Sequence, residues 1–145
     1  MKPKHIVAMI ILGAAIVVFI MGCFLFGISI NDRISQFQGD LNKTDRTNIY
    51  KNFHPTATKD YNAIKTPTFF DTLFPTAGLP TTQYTLTSID SSNPSHVTAA
   101  ISGPVGSIWY PGPVNVYFVM EKDGNDWMIA QFYRSTTSGS TAIVQ

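Results

Sequence analysis

The sequence predicts an α+β protein: an N-terminal transmembrane helix followed by short helices packed on one face of a curved antiparallel sheet. Three observations carry that expectation. An uncharged apolar run fills residues 6–30, apolar residues at helical spacing follow it, and period-two alternation takes over from residue 83.

Ile6 to Ile30, IVAMIILGAAIVVFIMGCFLFGISI, is 25 residues without a charge. As a helix it would be about 37 Å long, against a hydrocarbon core of about 30 Å. A chain of 145 residues has no core wide enough to cover such a helix all round. The run also accounts for a charged content of 13%, against roughly 25% in ordinary domains. Lys2, Lys4 and His5 precede the span, whereas Asp32 and Arg33 after it cancel. That asymmetry implies a single-pass signal anchor in the cell membrane, with the N-terminus cytoplasmic and the C-terminal domain extracytoplasmic. The division is then 1–5 cytoplasmic tail, 6–30 transmembrane helix, 31–137 extracytoplasmic domain and 138–145 flexible tail, with the lipid bilayer as one partner. Two processing alternatives share the segment. Ile20-Met21-Gly22-Cys23 resembles a lipobox, and Gly27-Ile28-Ser29 would suit a cleavage site; the apolar run that continues through Phe24, Leu25, Phe26 and Ile28 favours an uncleaved anchor. Cys23 is the only cysteine, so no disulfide can form within the chain.

Beyond the span, Ile34, Phe37 and Leu41 recur at helical spacing. A second helical stretch is expected from Thr44 or Asp45, carrying Ile49, Tyr50 and Phe53, and stopping at His54-Pro55. Thr66-Pro67 then starts a short helix presenting Phe69, Phe70, Leu73 and Phe74. Four strands follow: Gln83–Asp90, a run through Val97, Ala99 and Ile101, a run through Val114, Val116, Phe118 and Met120, and a last strand opened by Trp127. The last two are joined by Lys122-Asp123-Gly124-Asn125, an Asp-Gly hairpin signal. Strict alternation puts Trp127, Ile129, Gln131 and Tyr133 on one face and Met128, Ala130, Phe132 and Arg134 on the other. Trp127 is expected to pack against the Phe69–Phe74 turn. The Ser- and Thr-rich tail from Ser135 is expected to fray.

The helical stretch Phe37-Gln38-Gly39-Asp40-Leu41-Asn42-Lys43-Thr44-Asp45, then Tyr50-Lys51-Asn52-Phe53-His54-Pro55, resembles the runs that open many domains of the NTF2-like, cystatin-like superfamily. Asp123-Gly124-Asn125-Asp126-Trp127-Met128-Ile129 looks like that family's last hairpin, where a Trp starts the final strand. The resemblance implies helices on a curved sheet around an apolar cone. With the anchor, it implies a layout similar to VirB8-type components of type IV secretion systems and to accessory subunits of other envelope complexes.

Chemistry-bearing residues are sparse. Enzymatic members of that superfamily place an Asp base inside the cone, and Asp71, within the aromatic Phe69–Phe74 turn, is the nearest counterpart beside Asp60 and Asp90. A lone Asp in an amphipathic turn more often faces water. His5, His54 and His96 have no metal-ligand spacing, and His54 before Pro55 reads as a helix-end residue. No phosphate loop or nucleophile elbow is present. No enzyme activity, cofactor or metal is therefore expected. Residues 31–145 carry eight Lys or Arg and nine Asp or Glu, a formal charge of −1 with no basic stripe, so no nucleic-acid partner is expected. The suggestive segment is the linker Ser102–Pro113, too long for a simple hairpin. Val105, Ile108, Trp109 and Tyr110 give it apolar bulk, and Trp and Tyr are favoured binding anchors; the alternative is that Trp109 folds back as a lid on the core. The functional expectation is a non-catalytic, membrane-anchored protein-interaction or assembly module, an accessory subunit whose partner is another protein or a larger membrane complex. The alternative is a small-ligand-binding or isomerase-like protein using the cone interior.

Overall fold

The computed structural model describes residues 27–77, 79, 83–136 and 139–145. Runs of β-branched and aromatic residues build five strands: β1 Thr85–Asp90, β2 Val97–Ser102, β3 Val114–Asp123, β4 Asp126–Thr136 and β5 Gly139–Val144. They form one antiparallel meander in which each strand pairs only with its neighbours in sequence. Among the described residues the helices are few and short: α1 Ile30–Leu41, α2 Tyr61–Ile64 and α3 Pro67–Leu73, with 3-10 turns at Ile49–Asn52 and Pro94–His96. The α+β expectation with a leading transmembrane helix is thereby corrected, because the chain is mainly a five-stranded antiparallel sheet.

The expected span and its anchor need the same correction. Residues 6–26 of the span lie outside the described residues, as does Cys23. Among the described residues no helix is long and apolar enough to cross a membrane. What is described of the span's end belongs to the folded domain. Residues 27–29 are not helical. The Ile28 amide donates to the Asp126 carboxylate at 2.9 Å, and the Ile28 carbonyl accepts from the Trp127 amide at 3.0 Å. Ser29 caps α1 by accepting from the Asp32 amide, and Ile30 opens that helix as a core residue. Arg33, counted as a flanking charge, is buried; its Nε donates to the Trp127 carbonyl at 2.8 Å. Desolvation pushes its pKa down, against the attraction of Asp126 and Asp40. The single-pass, cytoplasmic-to-extracytoplasmic assignment therefore has no support in the structure.

Ile34, Phe37 and Leu41 of α1 are fully buried against one face of the sheet. Phe37 stands edge-on to Phe53, Phe70, Phe118 and Phe132, at 5.6–6.3 Å between ring centroids. Such edge-to-face pairs add to the gain from burial alone. Phe118 on β3 and Phe132 on β4 are register partners whose rings stack at 4.7 Å. The second expected helix is reduced to the turn at Ile49–Asn52, since Asp45 spends its side chain on the Thr47 amide and hydroxyl. The tail forms β5 instead of fraying, and Val144 is fully buried.

Candidate functional site

The loop from Gly103 to Pro113 is built on two successive turns. The Ser107 amide donates to the Pro104 carbonyl at 3.1 Å, and the Tyr110 amide donates to the Ser107 carbonyl at 3.1 Å. The Ser107 hydroxyl braces both by donating to the Pro104 carbonyl and accepting from the Trp109 amide. Entry to the loop requires glycine: a Cβ on Gly103 would stand 2.6 Å from the Tyr84 ring. Gly112, at the exit, has φ of +52° and packs on the Trp109 carbonyl.

These turns drive Trp109 inward and leave its neighbours outside. Trp109 is fully buried, stacked on Phe74 at 5.0 Å with 12° between planes and on Phe132 at 6.3 Å. Its Nε1 donates to the Leu73 carbonyl at 2.9 Å. Trp109 thus ties the loop to the last turn of α3 and cannot itself meet a partner, which corrects its assignment as a surface anchor. Val105, Ile108 and Tyr110 are 75%, 47% and 52% exposed, and only Ile89 joins them among exposed large apolar side chains of the described residues. Of the four expected site residues, three are exposed on the loop and the fourth is buried in the core.

Trp127, expected in the core, is half-buried at the β3–β4 hairpin under the Lys122 ammonium. None of the ring pairs among the described residues joins it to the Phe69–Phe74 turn; Trp109 takes that place.

Asp71 points outward, its side chain 47% exposed, 3.4 Å from the buried Arg46 guanidinium. It is not among the residues that line the apolar cleft beside α3. Arg46 also donates to the carbonyls of Leu41 and Phe74, joining α1 to α3, and desolvation lowers its pKa although Asp71 and Tyr84 oppose the shift. His54 Nδ1 accepts from the amides of Thr56 and Ala57, which leaves the proton on Nε2 to donate to the Lys122 carbonyl at 3.1 Å. That nitrogen pair is fully used in holding a turn against β3. Among the described residues no group of three or more His, Cys, Asp or Glu is placed to hold a metal.

One residue missed by the sequence reading is Arg134. Its guanidinium carbon lies 5.8 Å from the centroid of the Trp109 ring, at the edge of an apolar groove between α3, the loop and β5. Strict alternation had opposed it to Ile129, but a bulge between the Val119↔Gln131 and Met120↔Ile129 pairs changes the parity of β4. Ile129 and Phe132 consequently both face the core.

No family model, no curated protein and no solved structure matches this chain. The functional reading accordingly rests on the geometry of the loop and the groove.

Proposed function

We propose that this chain is a non-catalytic protein-interaction module whose partner-facing surface is the Ser102–Pro113 loop. The observation that carries the reading is the concentration of Val105, Ile108 and Tyr110, exposed, on a loop held by a buried tryptophan. Exposed large apolar side chains scattered singly need no explanation, whereas a cluster on a braced loop is the usual form of a binding surface. Bracing matters energetically, because a preorganised loop loses little conformational entropy on association. The resemblance to the NTF2-like, cystatin-like superfamily belongs to the proposal, supported by the packing of α1 over Phe118 and Phe132. The VirB8-like layout, which requires a membrane anchor, does not.

The test is Val105→Ser, Ile108→Ser and Tyr110→Ser in one chain, scored for melting temperature and for co-purification with the native partner. Unchanged melting with lost association is expected. Retained association removes the loop from consideration.

A further inference from the structure

The groove beside the loop has its own chemistry. Phe69 and Leu73 on α3, Ile108 on the loop, and Ala142 and Ile143 on β5 wall a cleft of about 480 Å³, within the roughly 300–1,000 Å³ usual for small-molecule sites. Arg134 stands at this cleft with Thr141, its register partner on β5. The two ion pairs among the described residues, Lys43–Asp40 and Arg46–Asp71, leave Arg134 out. Its Nε is buried with no hydrogen-bond partner among the described residues. A buried guanidinium nitrogen without an acceptor is costly, and the Trp109 face beneath it holds the cation in place.

An apolar cleft walled by a cation that forms no ion pair among the described residues is complementary to an apolar body ending in an anion. Guanidinium geometry matches a carboxylate, which can accept two parallel N–H bonds. The other polar groups of the lining include the Thr72 and Thr141 hydroxyls. A peptide backbone would bring an amide at every residue into this apolar lining and leave most of them unpaired, whereas an acyl chain would not. We propose that the groove binds a small apolar carboxylate of the medium-chain fatty-acid class, its chain against Phe69, Leu73, Ala142 and Ile143 and its carboxylate on Arg134. The cleft adjoins the proposed partner surface at Ile108, whereas Val105 and Tyr110 are not part of its lining, so a chain carrying only Val105→Ser and Tyr110→Ser separates failure of one proposal from failure of the other.

The experiment titrates decanoate into the full-length chain by calorimetry, alongside decanol and the variants Arg134→Gln, Arg134→Lys and Ala142→Phe, each checked for an unchanged melt. Saturable decanoate binding is expected, weakened about tenfold or more in Arg134→Gln and by less in Arg134→Lys, which keeps the charge but loses the fork. Ala142→Phe fills the cleft and should abolish it. Decanol should bind the parent more weakly than decanoate does. The proposal is overturned by the absence of saturable binding or by decanol binding as tightly as decanoate. Decanoate binding that survives both Arg134→Gln and Ala142→Phe overturns it as well, since uptake is then elsewhere on the chain. A short peptide acid that binds where decanoate does not would also overturn it. Should Arg134→Gln melt early, the decanol comparison and Arg134→Lys still decide.

Discussion

Trp109→Ala removes the side chain that joins loop, α3 and sheet. Trp→Ala changes at core positions cost about 3–5 kcal/mol through lost transfer energy and the cavity left behind. Here the full burial of the ring and its stacking on Phe74 and Phe132 argue for the whole amount. Two features pull the other way. The site adjoins the groove lined by Leu73, Ile108 and Arg134, so water can enter the vacated space, and that water can satisfy the Leu73 carbonyl that Nε1 leaves behind. The lower part of the range, about 3–4 kcal/mol, is therefore expected. At about 4 °C per kcal/mol for a domain near 100 residues, the melting temperature should fall by about 12–16 °C. Trp109→Phe keeps a stacking ring and loses the indole donor, so it should fall by about 1–2 kcal/mol. Tyr110→Ala, at a half-exposed neighbour, should stay within about 0.5 kcal/mol. Circular dichroism melts of the three full-length variants check the order. If Trp109→Ala melts within about 2 °C of the parent, or Tyr110→Ala falls as far, the division of the loop into an inward anchor and an outward surface is wrong.

Asn42→Ala should cost about 1–3 kcal/mol, read from denaturant midpoints, because the Asn42 amide both donates to the Tyr84 carbonyl at 2.8 Å and accepts from the Tyr84 amide at 2.7 Å; an unchanged midpoint would show that water replaces both bonds. Arg46→Met strands the Leu41 and Phe74 carbonyls at about 1–3 kcal/mol each, while Asp71→Asn, at the exposed end of the same pair, should cost less than about 1 kcal/mol. Equal losses from the two would contradict the view that Arg46 works through the carbonyls. Burial raises the Tyr84 phenol pKa, with Arg46 and Ser107 opposing, so the folded chain keeps a proton that the unfolded chain releases. Stability from this group is complete below the unfolded value of about 10 and falls as pH rises beyond it. Melts from pH 8 to about pH 11 should show that decline, and Tyr84→Phe should make it shallower; a slope identical in Tyr84→Phe would assign the decline to other groups.

The parts of the fold that could be read in the sequence are those whose pattern is local. The spacing of Ile34, Phe37 and Leu41 marks α1, Thr66-Pro67 starts α3, and Asp123-Gly124 turns β3 into β4. Other features depend on partners distant in the chain. Ile28 and Ser29 read as the end of an apolar run until Asp126 and Trp127 are placed, where Ile28 bonds to β4 and Ser29 caps α1. Gly139–Val144 has too little apolar content to announce a strand, and forms one because β4 offers it a free edge. The bulge at β4 carries no sequence signal, and one extra residue moved Phe132 and Arg134 to the core-facing side. For the candidate site, composition could identify the loop but not which aromatic would turn inward. That was decided by the Leu73 carbonyl and the Phe74 ring, contributed by α3.

The sheet's edges explain why these few helices matter in a mainly β chain. An open edge strand offers unpaired amides and carbonyls to any other strand, so folded chains cover it. At β1 the cover comes from α1: Asn42 occupies the amide and carbonyl of Tyr84, and Gln38 accepts from the Leu86 amide at 2.7 Å. Side-chain amides here imitate a neighbouring strand without extending the sheet. At the other side, Asp60 holds the residue after β5, its amide donating to the Gln145 carbonyl at 2.7 Å and its carboxylate accepting from the Gln145 amide at 2.9 Å. The helix-rich half of the chain therefore occupies the β1 edge and holds the residue that follows β5. Of the four exposed large apolar side chains among the described residues, three lie on the loop, and Ile108 also lines the cleft between α3 and β5. The proposed partner surface and the proposed carboxylate groove adjoin at Ile108, on the loop that Trp109 ties to α3.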